Sequence, residues 1–436
     1  MRRALYVLLS RLVFLLFSPV LLLARKTRRG LLERFGVYAA GRIPEGGWPR
    51  VWLHGASAGD LQALAPMIGR FRERFPDARI LLSTITDTGR TMAEQRLRGQ
   101  VDVVLYAPWD LPGSTRRAVR ALRPDLLVLE YTEIWPNLIH AARAAGTRVV
   151  LTNGRFSPDR LRGYRTLFAL FGNPLTELDL LLMREDEEAE RVLGLGAPLE
   201  RVWVTGNTKF DALAAPAHER EDVELRRALG LPTDAPVLIA GSTHEGEEDA
   251  LLEVYRRLLV EHRELRLVIA PRYIERSGRI AAMVQQMGMI VALRSAQNRT
   301  GARVVVLDTI GELSRAYRLA TLVFVGGSFT RRGGQNILEP AAQGRPVLFG
   351  PHMENFHDSV QVLVGRGGIQ VNDPDHLCRI VSELLSRPES ISALGELAQA
   401  AVRQVSGASS RNVDHLERLL ASANVSRTVL SPREAT

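Results

Sequence analysis

The sequence predicts an α/β protein with two Rossmann-like domains, and two patterns support this prediction. From Arg50 onward, short apolar runs of strand length alternate with amphipathic stretches of helix length. Such alternation is typical of strand–helix repeats around a mostly parallel sheet. After the segment 209–227 the same alternation starts again. A chain of 436 residues is long enough for two such domains, each with its own core.

The predicted strands are the short apolar runs. The first set is Val51–Leu53, Ile80–Ser83, Val103–Tyr106, Leu126–Glu130, Val149–Thr152, Leu180–Met183 and Val202–Thr205. The second set is Val237–Ala240, Arg266–Ala270, Met289–Ala292, Val304–Leu307, Leu322–Val325 and Pro346–Phe349. Helices are predicted between them, as at Leu61–Arg74 and Gly89–Arg98. The boundary between the domains is predicted near 206–215, with the active site in the cleft between them.

The composition narrows the class of protein. A hydrophobic fraction of 46% and a charged fraction of 24% are ordinary for a folded protein. The formal net charge of +9 suits an anionic lipid or a phosphorylated substrate. Aromatic residues make up only 6% and are not interleaved with basic ones, which argues against nucleic acid as a partner. The single cysteine, Cys378, excludes an internal disulfide and a cysteine-based zinc site.

The N-terminal segment is unusually apolar. Ala4–Ala24 is interrupted by few polar residues, and basic residues flank it on both sides. Its length predicts a membrane anchor over residues 1–29, either a single span or a helix lying in the interface. The larger basic cluster follows the segment, which favours a cytoplasmic location for the rest of the chain. The alternative is a buried first helix of a soluble domain.

A glycine-rich segment between Leu322 and Phe356 predicts a nucleotide pocket. Its pattern is that of a strand, a glycine-rich turn, a helix beginning near Gln335, and a second strand. Ligands of open α/β sheets bind at the carboxyl ends of strands. Glycines such as Gly334 let the backbone approach a phosphate, and a helix N-terminus offers free N–H groups. Glu339, about one turn into the predicted helix, is expected to bind ribose hydroxyls.

Candidate residues also follow strands of the first domain. Asp60 ends a loop of small residues that includes Ser57, and either a general base or a helix cap would explain it. The hydroxyl-rich segment Ser83–Gly89 would bind sugar or phosphate, or cap a helix. Glu133 follows the strand 126–130 and would hold substrate or orient a partner, whereas Trp135 is interpreted as packing.

In the second domain, Ser242 and Thr243 follow a strand and suit a phosphate or sugar-acid cradle. A capping box from Ser242 to Glu245 is the alternative. Arg272 is placed to meet a phosphate, and the backbone N–H groups at Gly311 and Glu312 to contact a base or phosphate.

Histidine spacing does not suggest a metal site, since no H-x-x-x-H occurs. The D-x-D at 373–375 reads as a turn and helix start. We therefore expect a metal-independent site.

Together these segments resemble the Kdo transferases of Gram-negative lipopolysaccharide synthesis, which are membrane-associated glycosyltransferases of the GT-B fold. Eleven segments match in the family's order and cover almost the whole chain. They are His54–Asp60, Thr84–Gly89, Thr132–Asn137, Asn153–Ser157, Gly206–Asp211, Ser242–Glu247, Pro271–Arg276, Asp308–Leu313, Gly326–Ser328, Gly333–Pro340 and Gly350–Phe356.

The resemblance implies transfer of Kdo, an eight-carbon sugar acid, from CMP-Kdo to a lipid A precursor, with inversion at the anomeric carbon. It implies an inner-membrane enzyme that needs no cofactor, CMP-Kdo being the donor substrate. The expected organisation is a membrane anchor over 1–29, an acceptor-side domain over 30–210, a CMP-sugar-binding domain over 211–421 and a frayed polar tail over 422–436.

The resemblance also implies roles for individual residues. Asp60 stands at the position of the family's catalytic base. Glu133 would lie on the acceptor side, and Lys209 would meet phosphate or the donor carboxylate. Ser57, Ser242 and Thr243 are further candidates for substrate binding. The residues expected at the CMP pocket are Arg272, Gly311, Glu312, Gly334, Asn336 and Glu339.

The chain departs from the family at three positions. Asp60 replaces a glutamate, while Gln335 and Tyr273 stand where the family usually has histidine. Two other readings therefore stay open. One is a GT-B transferase with a different activated sugar or acceptor, and the other is an inactive membrane-bound scaffold of the same fold.

Overall fold

The computed structural model describes residues 2–23, 25–213, 219–296 and 301–430. They divide into two compact units. The first unit contains the residues up to Ala212 and those from Ser406 onward, and the second is Leu213–Val405.

The first unit is built on a seven-stranded sheet in which every pairing is parallel, with strand order β3-β2-β1-β4-β5-β6-β7. The strands are β1 Arg50–His54, β2 Arg79–Thr84, β3 Val103–Tyr106, β4 Leu126–Glu130, β5 Arg148–Gly154, β6 Leu180–Met183 and β7 Val202–Val204. The helices are α1 Arg2–Leu23, α2 Arg25–Arg28, α3 Leu31–Arg34, α4 Ala58–Arg74, α5 Asp87–Arg96, α6 Pro112–Leu122, α7 Pro136–Ala144, α8 Leu161–Phe171 and α9 Asp186–Gly194.

The second unit repeats this plan with a second seven-stranded parallel sheet, in the order β10-β11-β9-β8-β12-β13-β14. Its strands are β8 Val237–Thr243, β9 Arg266–Pro271, β10 Val291–Leu293, β11 Val304–Val306, β12 Leu322–Val325, β13 Val347–Phe349 and β14 Gly368–Gln370. The helices are α10 Glu219–Ala228, α11 Glu248–Leu258, α12 Ser277–Gln286, α13 Leu313–Ala316, α14 Leu338–Ala342, α15 His357–Leu363, α16 Pro374–Leu385 and α17 Pro388–Val405.

The first sheet is covered on both faces, which explains why its strands are continuously apolar. In β1, Trp52 belongs to one hydrophobic cluster, whereas Val51 and Leu53 belong to the cluster on the opposite face. Successive side chains of a strand point to opposite faces, so both must be apolar when both are covered. The predicted parallel sheets and Rossmann-like units are confirmed.

The last helix, α18 Ala408–Leu430, belongs to the first unit. Glu417 pairs with Arg74 of α4 through two hydrogen bonds of 2.9 and 2.6 Å. Asp211 accepts the backbone N–H groups of Gly407 and Ser409, both at 2.5 Å. Residues 406–421, which the sequence analysis assigned to the second domain, are therefore part of the first unit. The helix includes 422–430 of the predicted tail, and 431–436 lie outside the described residues.

The sequence analysis missed one strand and misplaced the start of one helix. The short strand β14 was not predicted, because three residues that include a glycine give no apolar run. The helix expected from Gln335 begins only at Leu338 and is five residues long.

Helix α1 packs one face against the first unit. Tyr6 donates a hydrogen bond of 2.7 Å to Asp110, and the Phe14 ring lies 4.9 Å from that of Trp109. The other face of α1 is open to solvent. Eight of its apolar side chains are 42–73% exposed, namely Leu5, Leu8, Leu9, Leu12, Val13, Leu15, Leu16 and Phe17. The alternative of a buried first helix therefore does not hold. Within the described ranges, no helix is long and apolar enough to cross a membrane.

Candidate active site

The loop after β1 brings Ser57 and Asp60 together at the start of α4. Ser57 is the N-cap of the helix, and the Asp60 side chain closes a capping box with it. One oxygen, Oδ2, accepts both the Ser57 N–H at 2.8 Å and the Ser57 hydroxyl at 3.0 Å. No described residue forms a hydrogen bond with the other oxygen, Oδ1. The capping interpretation of Asp60 is thus correct. Because the cap uses only Oδ2, Oδ1 remains available to accept a proton.

Glu133 is held beside the same loop. Its Oε2 accepts a hydrogen bond of 2.8 Å from the Trp135 indole and lies 3.4 Å from Nε2 of the buried His54. The other nitrogen of His54 contacts the Ser83 hydroxyl at 3.0 Å. Trp135 therefore orients Glu133 in addition to packing.

The segment Thr84–Gly89 mostly has structural roles. The Thr84 hydroxyl donates to the Ala56 carbonyl at 2.9 Å, which joins this segment to the loop after β1. Thr86 caps α5 by accepting the Gly89 N–H at 3.1 Å. The capping interpretation is supported for Thr86.

Lys209 lies in a short 3-10 helix, with its ammonium 5.2 Å from the centre of the Tyr131 ring. Tyr131 has a positive φ of 56°, which strains a non-glycine residue. Partial burial lowers the pKa of Lys209, Arg184 lowers it further, and Asp60 opposes them. Lys209 and Asp60 are therefore close enough to interact electrostatically.

A buried hydrogen-bonded chain lies behind these residues. Glu130 accepts the Thr152 hydroxyl at 2.7 Å and the Asn153 amide at 2.5 Å. The Asn153 amide also contacts the Thr208 hydroxyl, which donates to the Ala63 carbonyl of α4 at 2.8 Å. The chain thus connects β4 and β5 to Lys209 and to the helix that carries Asp60. Burial raises the pKa of Glu130 to about 8.

In the second unit, Ser242 and Thr243 end β8, where Ser242 has a positive φ of 55°. The capping box from Ser242 to Glu245 does not form, because α11 begins only at Glu248. Instead the buried Glu247 accepts the N–H groups of His244 at 2.8 Å and Gly327 at 2.6 Å. This carboxylate ties the loop after β8 to the loop after β12.

His244 lies between the two residues that depart from the family pattern. Its ring meets Tyr273 edge-to-face with centroids 5.8 Å apart, and its Nε2 lies 3.3 Å from the Gln335 amide nitrogen. Burial, followed by Arg332 and Arg272, lowers the pKa of His244. A neutral imidazole can accept the amide N–H of Gln335. The exposed guanidinium of Arg272 forms no ion pair with a described residue.

Gly311 and Glu312 precede a helix of only four residues, α13. Gly311 has a φ of 89°, which favours glycine. Glu312 accepts a hydrogen bond of 3.0 Å from Arg294 and another from the Thr309 hydroxyl. Its carboxylate therefore fixes the loop after β11, and its backbone is the part left for a ligand.

The glycine-rich turn after β12 contains the remaining candidates. Gly334 has a φ of 76° and donates its N–H to the Gly327 carbonyl at 2.9 Å. Asn336, two residues before the short α14, accepts the Leu338 N–H at 3.0 Å. Glu339 is half-buried and forms no hydrogen bond or ion pair with the described residues, and burial raises its pKa.

Sequence reasoning gave no role to Glu130, Asn153, His244 or Glu247. Glu130 ends the apolar strand β4, and Glu247 follows the apolar strand β8. A carboxylate at the end of an apolar strand was the sequence signal that could have identified both residues. In contrast, the positive φ of Asn153, 51°, could not be predicted from the sequence pattern around it. Among the residues described, no group of His, Cys, Asp and Glu could hold a metal ion.

Two parallel Rossmann-like sheets, each with polar side chains at the carboxyl ends of its strands, define a protein of the GT-B fold class. The fold is shared with UDP-GlcNAc 2-epimerase from Neisseria meningitidis bound to UDP-GlcNAc, with a TM-score of 0.59 at 14% identity over 85% of this chain and all of that one.

The family follows from the sequence comparisons. Residues 29–212 match the family model for 3-deoxy-D-manno-octulosonic-acid transferase (kdotransferase). The chain is 32% identical to the 3-deoxy-D-manno-octulosonic acid transferase of Haemophilus influenzae, over 90% of this chain and 92% of that protein. It is 35% identical to that of Bordetella pertussis, over 88% and 90%. The chain therefore belongs to the 3-deoxy-D-manno-octulosonic acid (Kdo) transferase family and is a glycosyltransferase.

Proposed function

We propose that the protein transfers Kdo from CMP-Kdo to a lipid A precursor, a lipid IVA-type disaccharide, with inversion at the anomeric carbon. The observation that carries this proposal is the Asp60 carboxylate, held through Oδ2 by Ser57, whose Oδ1 has no hydrogen-bond partner in the described part of the chain. A fixed carboxylate with one unengaged oxygen suits a general base.

In the proposed reaction, Asp60 takes the proton from the acceptor hydroxyl. The hydroxyl oxygen forms a bond to the anomeric carbon while the bond from that carbon to the phosphate oxygen of CMP breaks. CMP leaves with the electron pair, and positive groups stabilise the departing phosphate. Lys209 suits contact with this phosphate or with the donor carboxylate. Glu133, fixed by Trp135 and His54, suits a hydroxyl of the acceptor.

The second unit is proposed to bind the CMP moiety. Arg272 offers an exposed guanidinium without a carboxylate partner among the described residues. Glu339 offers a half-buried carboxylate that two ribose hydroxyls would satisfy. The backbone of Gly311 and Gly334, with Asn336 beside them, suits the base and phosphate. Neither a cofactor nor a metal ion takes part in this proposal.

We further propose that the protein acts at the cytoplasmic face of the inner membrane. The exposed apolar face of α1 supports attachment to a bilayer. A lipid acceptor would also be presented at that surface.

The test is a transfer assay on purified protein in detergent, with tetraacyl lipid A precursor and CMP-Kdo generated in situ. Product mass shows whether one Kdo unit or more is added. Asp60→Asn is expected to reduce turnover by roughly 10²–10⁴-fold, with CMP binding retained. Asparagine keeps an oxygen that can accept from Ser57, so loss of folding is not expected to explain the result.

The outcomes separate the alternatives. CMP binding without transfer would indicate a different sugar acid or acceptor. No transfer and no CMP binding would favour an inactive scaffold. Loss of CMP affinity in Asp60→Asn would contradict the separation of base and nucleotide between the two units.

A further inference from the structure

A cavity of about 610 Å³ lies beside α1 in the first unit, and its described lining includes no residue of the loop that carries Asp60. Three elements enclose it: the N-terminal half of α1, the first turns of α6, and α7. Its wall contains the polar residues Arg3, Arg11, Thr115, Arg116, Asn137 and His140 and the apolar residues Ala4, Val7, Leu8, Pro112, Ala141 and Ala144. The cavity is therefore part basic and part apolar.

The polar part of the wall is strongly cationic. It presents three guanidinium groups, from Arg3, Arg11 and Arg116, and none of them forms an ion pair with a described residue. The Arg116 guanidinium donates to the Pro112 carbonyl of its own helix, through Nε at 3.0 Å. Among the described residues, no aspartate or glutamate lines the cavity. Unpaired guanidinium groups on a concave surface suit a phosphate, which they bind in a bidentate manner.

The apolar part of the wall continues onto the surface of α1. Leu8 lines the cavity and is itself 55% exposed, and Leu5, Leu9 and Leu12 of the same helix are 42–53% exposed. A ligand whose phosphate contacts the arginines could therefore lay an apolar chain along this helix. A free phosphate or a sugar phosphate would leave that apolar surface uncovered.

Hydrogen bonds fix helix α1 against the other walls of the cavity. Asp110 accepts the Tyr6 hydroxyl of α1 at 2.7 Å and caps α7 through the N–H of Leu138 at 2.8 Å. The Asn137 amide donates to the Asp110 carbonyl at 2.7 Å. The half-buried Asp110 thus joins two of the three walls.

We propose that this cavity binds the phosphate headgroup of an anionic membrane phospholipid, with its acyl chains along the exposed face of α1. The proposal rests on the membrane attachment proposed above and gives that attachment a defined site with one lipid per chain.

Native mass spectrometry of the detergent-solubilised full chain tests the site, with phosphatidylglycerol and phosphatidylcholine as the probes. The wild type is expected to retain one phosphatidylglycerol and to prefer it over phosphatidylcholine. Arg11→Gln and Arg116→Gln are each expected to weaken this binding by roughly fivefold, the value of one arginine at an anionic surface. Arg120→Gln is the matched control, since Arg120 is an exposed arginine one turn further along α6 that does not line the cavity.

Equal binding of the two lipids, or equal loss in Arg116→Gln and Arg120→Gln, would overturn the proposal. A phosphate on the lipid acceptor is the other source of the same chemistry. In that case the variants would raise the KM for the acceptor in phospholipid-free micelles, whereas a phospholipid site leaves that KM unchanged.

Failure of the site is distinguishable from failure of the proposed function. If the wild type binds neither anionic nor neutral vesicles, the proposal of membrane attachment is wrong, and the proposed lipid site is wrong as well. If the wild type binds vesicles and the arginine variants match it, only the site is wrong. If transfer is absent but phosphatidylglycerol is retained selectively, the site stands without the proposed reaction.

Discussion

The Asp60 carboxylate and Ser57 hold each other through one carboxylate oxygen, at 2.8 Å to the Ser57 N–H and 3.0 Å to its hydroxyl. The same contact starts helix α4 and orients the proposed base. We therefore expect both stability and turnover to depend on this pair of residues, and substitution can separate the two effects.

Ser57→Ala removes the hydroxyl but leaves the backbone N–H. We expect a loss of about 1 kcal/mol in the free energy of unfolding, as for other N-cap serines. Turnover should fall by about tenfold, because the carboxylate loses one of the two bonds that orient it. Denaturant titration and the transfer assay measure the two effects, and Ser57→Thr, which keeps a hydroxyl, is the control. If Ser57→Ala loses stability but keeps its turnover, Asp60 acts only as part of the helix cap and not as the base.

Glu130→Gln tests the buried chain behind the site. Burial raises the pKa of Glu130 to about 8, so the folded state keeps a proton that the unfolded chain releases above its ordinary pKa near 4.3. Wild-type stability should therefore fall as pH rises from about 4.5 to 8, by up to about 1.4 kcal/mol per pH unit. Glutamine carries no such proton and can still bond Asn153 and Thr152.

The measurement is the free energy of unfolding of both proteins at pH 6, 7 and 8.5. We expect the difference between Glu130→Gln and wild type to shift in favour of the variant as pH rises. Parallel curves over this range would mean that Glu130 is already ionised in the folded protein.

Glu339→Gln tests the proposed ribose contact. A hydrogen bond to a charged group contributes about 1.5–3 kcal/mol, so CMP affinity should fall by roughly 10–150-fold. Stability without ligand should be unchanged or higher, because burial raises the pKa of Glu339 and no described residue offsets the cost of its charge. Calorimetric titration with CMP and denaturation without it provide the two readouts. Unchanged CMP affinity would exclude Glu339 from the nucleotide site.

Gly326→Ala tests the contact between two loops of the second unit. A Cβ at Gly326 would lie 2.6 Å from the Thr243 Cα and 2.8 Å from the Ser242 carbonyl oxygen. Neither backbone atom can move away cheaply, so we expect a destabilisation of about 1–3 kcal/mol and weaker CMP binding. The control is Gly278→Ala in α12, where a Cβ meets nothing within 4 Å. Equal stability of both variants would contradict the close packing of these loops.

Much of the fold could be predicted from the sequence, because both faces of each parallel sheet are buried. A strand covered by helices on either side must be apolar at every position, as β12 is, and such runs stand out. β14, a short strand that includes a glycine, carries no such signal. Ligand-binding residues of α/β sheets follow strands, and this rule pointed to Asp60, Glu133, Ser242 and Arg272. The structure places each of them in the last residues of a strand or within six residues after one, while their roles stay predictions.

The sequence by itself therefore determined two parallel sheets and the family of this protein, because apolar runs and local motifs are properties of short segments. Only the tertiary structure decided that α18 belongs to the first unit, since the pairing of Arg74 with Glu417 joins residues 343 positions apart. It alone also decided which polar groups are already satisfied. Glu312 and Glu247 are engaged by neighbours distant in sequence, whereas Glu339 is partly buried without a partner among the described residues. Burial and pairing depend on what the rest of the fold brings alongside, which no local pattern records.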